Sequence, residues 1–495
     1  MPDAVMAIDQ GTTGCTALVL GHDGQELGRA YEEINQFFPQ PGWVEHDPEE
    51  IWRVSLDVMS RAFDAAHLSR GQLKAIGITN QRETTVIWDR KTGRPIHRAV
   101  VWQSRQSTEI CERIRAEGHE PMIRDRTGLL MDPYFSASKI TWILDHVVNA
   151  RAQAEEGELL FGTVDSWLLY RLTGGKTHAT DPTNASRTLL FDISTQRWDP
   201  ELLDIFDVPE PMLPEVRPSA GVFGVTQSQG GIPGGIPITG IAGDQQAALF
   251  GQGCWHPGSL KNTYGTGCFA MLNTGNQRRT SDCGLLTTIC CDSHGKPAYA
   301  LEGSVFTAGA AIQWLRDELG LIGTAIESER VAARTQDTQG VYVVPAFTGL
   351  GAPYWDMHAR GAIVGLTRGS GKDEIIRATL DSIAYQTRDV IDAMRCDTGM
   401  SVMELRADGG ASANDQLMQF QADILGIPVV RPKLIETTAS GAAFLAGLGS
   451  GFWRTPKELE NVRREDRIFS PKMDAAQRDR LYTGWLQAIR QVSTK

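Results

Sequence analysis

The chain has 495 residues, a formal charge of −12, 41% apolar and 22% charged residues. That length exceeds a single core and calls for two large domains or about three smaller ones, and the composition excludes a disordered, collagenous or coiled-coil chain. The acidic balance argues against general nucleic-acid or anionic-membrane binding, although backbone N–H groups can still hold one anion locally.

In chain order, residues 5–8 predict a buried strand. Asp9-Gln10-Gly11-Thr12-Thr13-Gly14 predicts a Gly/Thr turn, and residues 15–20 a second strand that ends in a turn at His22-Asp23-Gly24 before a third strand. Residues 47–66 predict an amphipathic helix with Asp47 as N-cap, Pro48 at its first position and Glu49 and Glu50 at its positive end. Residues 74–79 and 85–88 predict two short strands, so strands and helices alternate after an opening meander and the fold class is α/β. A Gly/Pro-rich segment spans 218–240. Strand, turn and helix start follow at 240–249, with Asp244 at the turn as a candidate N-cap. A second strand, Gly/Thr turn and strand occupy 261–272, and Gly409-Gly410-Ala411-Ser412-Ala413-Asn414 links a predicted strand (402–408) to a predicted helix (415–425). The last forty residues predict an amphipathic helix packed on the second domain.

No stretch has the pattern of a secretion signal or the ~18 apolar residues of a membrane helix. The eight cysteines form no C-x-x-C pair and read as reduced thiols in a cytoplasmic protein.

Thr13-Gly14-Cys15-Thr16-Ala17 and Thr266-Gly267-Cys268-Phe269-Ala270 match at four of five positions, about half a chain apart. That points to two related α/β halves, each opening with a hairpin. Two segments imitate a phosphate-binding P-loop, Gly369-Ser370-Gly371-Lys372 and Gly174-Gly175-Lys176-Thr177, but Leu366 and Tyr170 stand where the motif needs its first glycine. The Gly/Thr turns offer another solution. Successive N–H groups and hydroxyls can wrap phosphate oxygens, Asp9 at the strand end suits Mg²⁺, and Gly409-Gly410 leaves room for a base or ribose.

Further motifs are Gln81-Arg82-Glu83-Thr84, Trp102-Gln103, Asp132-Pro133-Tyr134-Phe135-Ser136, the run from Thr180 to Arg187, Gly243-Asp244-Gln245-Gln246, the run from Gly309 to Leu315, and Gly349-Leu350-Gly351-Ala352-Pro353-Tyr354-Trp355. With these the chain resembles, from about residue 4 to residue 453, the FGGY carbohydrate kinases of the actin-like ATPase superfamily, and several motifs match the glycerol-phosphorylating branch of that family. The resemblance implies two actin-like (ribonuclease H-like) domains with a nucleotide and substrate cleft between them. Residues 1–250 would carry the glycerol and phosphate side and 251–495 the adenosine side. It implies ATP-dependent phosphorylation of glycerol to sn-glycerol 3-phosphate. Arg82, Glu83, Trp102, Tyr134, Gln245 and Phe269 would contact glycerol, with Asp244 as general base. Thr12, Thr13, Gly14, Thr266, Gly309 and Gln313 would face the nucleotide phosphates, Gly410 and Asn414 the adenosine, and Asp9 the Mg²⁺. The expected partners are glycerol, ATP and ADP, in a homo-oligomer (dimer or tetramer), with no nucleic acid and no membrane insertion.

The chain departs from the family pattern at three places. Thr12-Thr13-Gly14-Cys15-Thr16 replaces the usual Thr-Thr-Ser-Ser-Arg, so a hydroxyl and a charge near the phosphates are missing. Ser104-Arg105-Gln106 replaces Asp-Arg-Arg. Gly235 precedes Ile236-Pro237-Ile238, where some bacterial members carry an arginine and bind fructose 1,6-bisphosphate. Two alternatives stay open: a kinase for a pentulose or another polyol, and a nucleotide-gated interaction protein of the Hsp70 type. The latter would need a peptide-binding domain beyond residue 455.

Overall fold

The opening apolar run forms the strand Ala4–Gln10, buried along nearly its whole length, which pairs antiparallel with Gly14–Gly21 and parallel with Leu73–Asn80. The first sheet runs in the order Ala220–Val225, Pro237–Gly243, Leu73–Asn80, Ala4–Gln10, Gly14–Gly21, Glu26–Glu33. The Gly/Pro-rich segment thus supplies one edge strand and part of its antiparallel neighbour. In this computed structural model, which describes residues 3–434 and 436–494, the chain divides into two units. The first holds the residues up to Trp255 together with Thr287–Tyr299 and Thr437–Arg463. The second holds His256–Leu286, Ala300–Glu436 and the chain from Arg464 on.

The helix Pro48–Ala65 starts where its cap places it, with Asp47 Oδ1 accepting the Glu49 N–H at 2.9 Å. It buries Val54, Val58, Met59 and Phe63 against the first sheet, each such side chain contributing about 1.5–3 kcal/mol. The helix Thr437–Ser450 packs on the strands Ala4–Gln10, Leu73–Asn80 and Pro237–Gly243 and on the helix Asp244–Gly251. Backbones touch there: a Cβ on Gly77 would lie 2.2 Å from the Ala442 carbonyl oxygen, and one on Gly441 would lie 1.8 Å from that of Ala247. Only glycine permits such an approach.

The second sheet has seven strands, and six of them repeat the first sheet's order: Pro297–Val305, Cys268–Gly275, Leu260–Tyr264, Leu405–Asp408, Val429–Pro432, Glu465–Phe469. Leu260–Tyr264 pairs antiparallel with its hairpin partner and parallel with Leu405–Asp408. Leu405–Asp408 pairs parallel with Val429–Pro432, which pairs antiparallel with Glu465–Phe469. The matching pentapeptides fall on corresponding hairpins. In the first, Gly11 N–H donates to the Gly14 carbonyl; in the second, Gly265 N–H donates to that of Gly267, both at 2.9 Å. The second turn is one residue shorter.

Both P-loop imitations have structural roles. Gly371 N–H donates to Glu374 Oε2 at 2.8 Å and caps the 27-residue helix Lys372–Thr398. Gly174 and Gly175 adopt positive φ just past the helix Val164–Leu172. The final helix, Ala475–Val492, belongs to the second unit and buries Trp485, whose Nε1 donates to Asp389 Oδ2 at 2.8 Å. All eight cysteines are free thiols. Among the described residues no helix is long and apolar enough to cross a membrane.

Candidate active site

In the first unit, three parallel strands end side by side, with Gln10 beside Asn80 and Asn80 beside Gly243. The segments that leave them, 11–14, 81–84 and 244–246, therefore converge at the carboxyl edge of the sheet, where open α/β sheets bind their ligands. Gln81 joins the first two. Its N–H donates to the Gln10 carbonyl at 2.7 Å, and its Nε2 lies 3.1 Å from Gln10 Oε1 and 3.2 Å from the Gly11 carbonyl. The same Nε2 lies 3.2 Å from His46 Nδ1. Burial pushes this imidazole down to about 4, so it is neutral and accepts at Nδ1.

Arg82 and Glu83 are both buried. Arg82 Nε lies 3.0 Å from Asp244 Oδ1, and its Nη1 donates to Gln246 Oε1 at 3.3 Å. Glu83 Oε1 accepts from Arg187 Nε at 2.6 Å and lies 3.9 Å from Arg82 Nε. A carboxylate removed from water requires such pairing. Glu83 also holds φ at +60°, an unusual conformation for a side chain of its size. Of the two acids Asp244 is the accessible one: its side chain is 29% exposed, against 2% for Glu83. A base that must reach a substrate hydroxyl has to be the open one. The structure corrects one expectation. Asp244 is not the N-cap; Gly243 caps, and Asp244 is the first residue of the helix Asp244–Gly251. Its Oδ1 accepts the N–H of the buried Gln245 at 2.7 Å.

Trp102 ties the Gly/Thr turn to the segment 81–84. Its Nε1 donates to Thr12 Oγ1 at 2.8 Å, its N–H donates to Thr84 Oγ1 at 3.2 Å, and its ring meets Tyr134 edge-on at 5.4 Å. Tyr134 is held from two sides. The Arg187 guanidinium lies 5.6 Å from its ring centre. Lys139, fully buried, donates to the backbone carbonyls of Tyr134 and Phe135. Burial pushes the Lys139 ammonium down to about 7, against the opposing pull of Glu83. Asp9, half-buried on the strand Ala4–Gln10, sits across from Thr16 and Thr79. Thr13 accepts the Ile34 N–H at its carbonyl (3.1 Å), and Gly14 opens the next strand.

In the second unit a cavity of about 430 Å³ gathers Thr266, Gly309, Gln313, Gly410 and Asn414. A Cβ on Gly309 would lie 2.6 Å from the Gly265 carbonyl, and one on Gly409, whose φ is +83°, would lie 2.6 Å from that of Tyr264. A Cβ on Gly410 would meet nothing within 4 Å. Asn414 Oδ1 accepts the Leu417 N–H at 3.0 Å and caps the helix Asp415–Leu425. Ile312, Leu380 and Leu417 give the cavity apolar walls, and Arg316 and Glu329 its charges. Phe269 is half-buried on the strand Cys268–Gly275 and does not line this cavity.

Arg187, Lys139 and Gln246 escaped the sequence reading as site residues. Arg187 and Gln246 lie inside motifs singled out there, which was the available signal; Lys139 had none.

The family model for the N-terminal domain of FGGY carbohydrate kinases matches residues 4–251, and that for the C-terminal domain matches residues 260–450. A glycerol kinase of Shewanella sp. (strain MR-4) is 57% identical over 485 residues, covering 98% of both chains. One of Caldanaerobacter subterraneus subsp. tengcongensis is 56% identical over 490 residues, covering 99% of this chain and 98% of its own. The crystal structure of Plasmodium falciparum glycerol kinase with ADP superposes with a TM-score of 0.93 at 36% identity, covering 100% of this chain and 99% of the other. A gluconate kinase from Lactobacillus acidophilus shares the fold, with a TM-score of 0.89 at 22% identity over 100% of this chain and 99% of its own. The chain belongs to the FGGY family of carbohydrate kinases, among its glycerol kinases.

Proposed function

We propose that the chain transfers the γ-phosphoryl group of ATP to glycerol, giving sn-glycerol 3-phosphate and ADP. The observation that carries the reading is the Arg82–Asp244 pair backed by Glu83: a fixed donor and two fixed acceptors, with one carboxylate open to solvent. Arg82 and Glu83 hydrogen-bond the vicinal hydroxyls, while Trp102, Tyr134, Gln245 and Phe269 complete the glycerol contacts. Asp244 takes the proton of the attacking hydroxyl as the oxygen–phosphorus bond forms, a role typically worth 10²–10⁴-fold.

Phosphoryl transfer needs alignment and charge neutralisation more than covalent participation by the protein. Thr12, Thr13 and Gly14 of the first unit, and Thr266, Gly309 and Gln313 of the second, serve the phosphates. Gly410 and Asn414 flank the adenosine, for which the apolar walls of the second unit's cavity are suited. Mg²⁺ supplies the charge neutralisation when bound. Asp9, a hard oxygen donor at a strand end beside the Gly/Thr turn, fits it. We assign the glycerol and phosphate side to residues 1–250 and the adenosine side to 251–495, in a cytoplasmic homo-oligomer, dimer or tetramer.

A coupled assay of ADP release with glycerol, dihydroxyacetone, xylulose and erythritol tests this. The reading expects glycerol to give the highest kcat/KM, and a preference for xylulose or erythritol would overturn it.

A further inference from the structure

We propose that Tyr31 is a nucleotide-binding residue, its hydroxyl donating a hydrogen bond to a phosphate oxygen held at the Gly11–Gly14 turn. This role rests on the reading of that turn as the phosphate site, and the strand register brings Tyr31 to its side of the sheet. Asp9 faces Thr16 across one ladder, and Thr16 faces Tyr31 across the next. Residues directly opposite in a ladder project to the same side, so Tyr31 shares its side with Asp9. The opposite side is the one the helix Pro48–Ala65 covers, where Cys15 Sγ lies 3.5 Å from Ser55 Oγ.

From that position the ring leans along the diagonal toward the turn. A Cβ on Gly14 would lie 2.6 Å from Tyr31 Oη and 2.7 Å from its Cε2. Gly14 needs no positive φ; it is glycine because the tyrosine and, at 2.7 Å, the Glu32 carbonyl oxygen occupy the space of its side chain. An aromatic ring laid over a strand glycine is a recognised packing device, but it requires no hydroxyl. This ring carries one, it is 49% exposed, and among the described residues its oxygen has no hydrogen-bond partner. An O–H donor in this position would meet an anionic phosphate oxygen in a charge-assisted bond. The hydroxyl that residue 14 cannot offer comes from the neighbouring strand.

Steady-state titrations of ATP at saturating glycerol, with ADP affinity measured by calorimetry, test the assignment. Tyr31→Phe keeps the ring over Gly14 and removes only the oxygen. It is expected to raise the KM for ATP and the Kd for ADP about tenfold, the loss of one hydrogen bond to a charged group, with the glycerol KM and the Tm unchanged. Tyr31→Ala is expected to do the same. Thr13→Ala serves as the reference for the turn itself. A silent Tyr31→Phe beside an impaired Thr13→Ala would show that the ring only covers Gly14 and overturn the proposal alone. Silence of both variants would remove the phosphates from the turn and overturn the proposal together with the reading beneath it.

Discussion

The two units carry the same strand order and opposite kinds of site. In the first, Arg82, Glu83, Arg187 and Lys139 are all buried and paired with one another or with backbone carbonyls, so the geometry is held by charges that were taken out of water together. In the second, the cavity is lined by Gly265, Gly309 and Gly410 and by one helix cap, Asn414, and the missing side chains of Gly309 and of the adjoining Gly409 let backbones approach. A small neutral polyol offers little area to grip, so selectivity for it must come from hydrogen-bonding groups fixed in advance. A nucleotide offers a large flat body and charged oxygens, and for it space and backbone N–H groups suffice. A shared fold thus leaves the chemistry to the residues at the strand ends.

The comparison breaks most visibly at Asp244. Asp244→Asn is expected to lower kcat by roughly 10²–10⁴-fold while ADP affinity, measured by calorimetry, stays within a factor of two or so. Near-normal turnover would move the base elsewhere. Next in size is Glu83→Gln, which leaves Arg187 buried without its carboxylate. Urea unfolding is expected to register a loss of about 3–5 kcal/mol, with a raised KM for glycerol. Adding Arg187→Met should return much of the stability but not the glycerol KM, which separates the structural charge from the binding one. For the second unit the matching test is steric. Gly410→Val should raise the KM for ATP by the equivalent of about 1–3 kcal/mol with unchanged Tm, whereas Gly410→Ala, which meets nothing within 4 Å, should be near silent. An equal effect of both would mean the position serves the loop and not the cavity. Asp9→Ala should raise the Mg²⁺ concentration for half-maximal rate without altering the glycerol KM; an unchanged Mg²⁺ dependence would make Asp9 structural. The smallest effect expected is none: fructose 1,6-bisphosphate at low millimolar concentration should not inhibit. The segment 218–240 holds no lysine or arginine. Arg70 donates to the Gly234 carbonyl at 3.1 Å and Arg217 to that of Phe223 at 2.9 Å; Arg70, at the Gly-rich loop itself, is the one to change to alanine if saturable inhibition is seen.

Local signals were the legible part. Asp47 and Pro48 marked a helix start, the Gly-rich loop 409–414 led into another helix, and the runs of apolar residues located the strands around both Gly/Thr turns, because caps and turns are written in adjacent residues. The residues proposed to contact glycerol could be singled out because most of them lie in motifs. What stayed hidden was long-range pairing. Arg187 meets Glu83 across 104 positions, and nothing near Lys139 announces that a lysine will be buried there, since its acceptors are backbone carbonyls of a loop. The assignment of Asp244 as a cap missed by one residue, the usual uncertainty of helix ends. The helix Thr437–Ser450 is made of small and apolar residues on every side; its pattern marks it as buried but does not say against what.

That helix sets a timetable for synthesis. Its partners, the strands Ala4–Gln10, Leu73–Asn80 and Pro237–Gly243 and the helix Asp244–Gly251, leave the ribosome long before it does. At 5–20 residues per second the interval is roughly 10–40 s. Throughout that time Gly77, Gly240 and their neighbours present a bare, closely contoured apolar face with no cover of their own. The first unit therefore cannot complete itself as it emerges. The nascent chain exposes that face until its last eighth arrives, and a fragment ending near residue 255 should be recovered as aggregate and not as a folded domain.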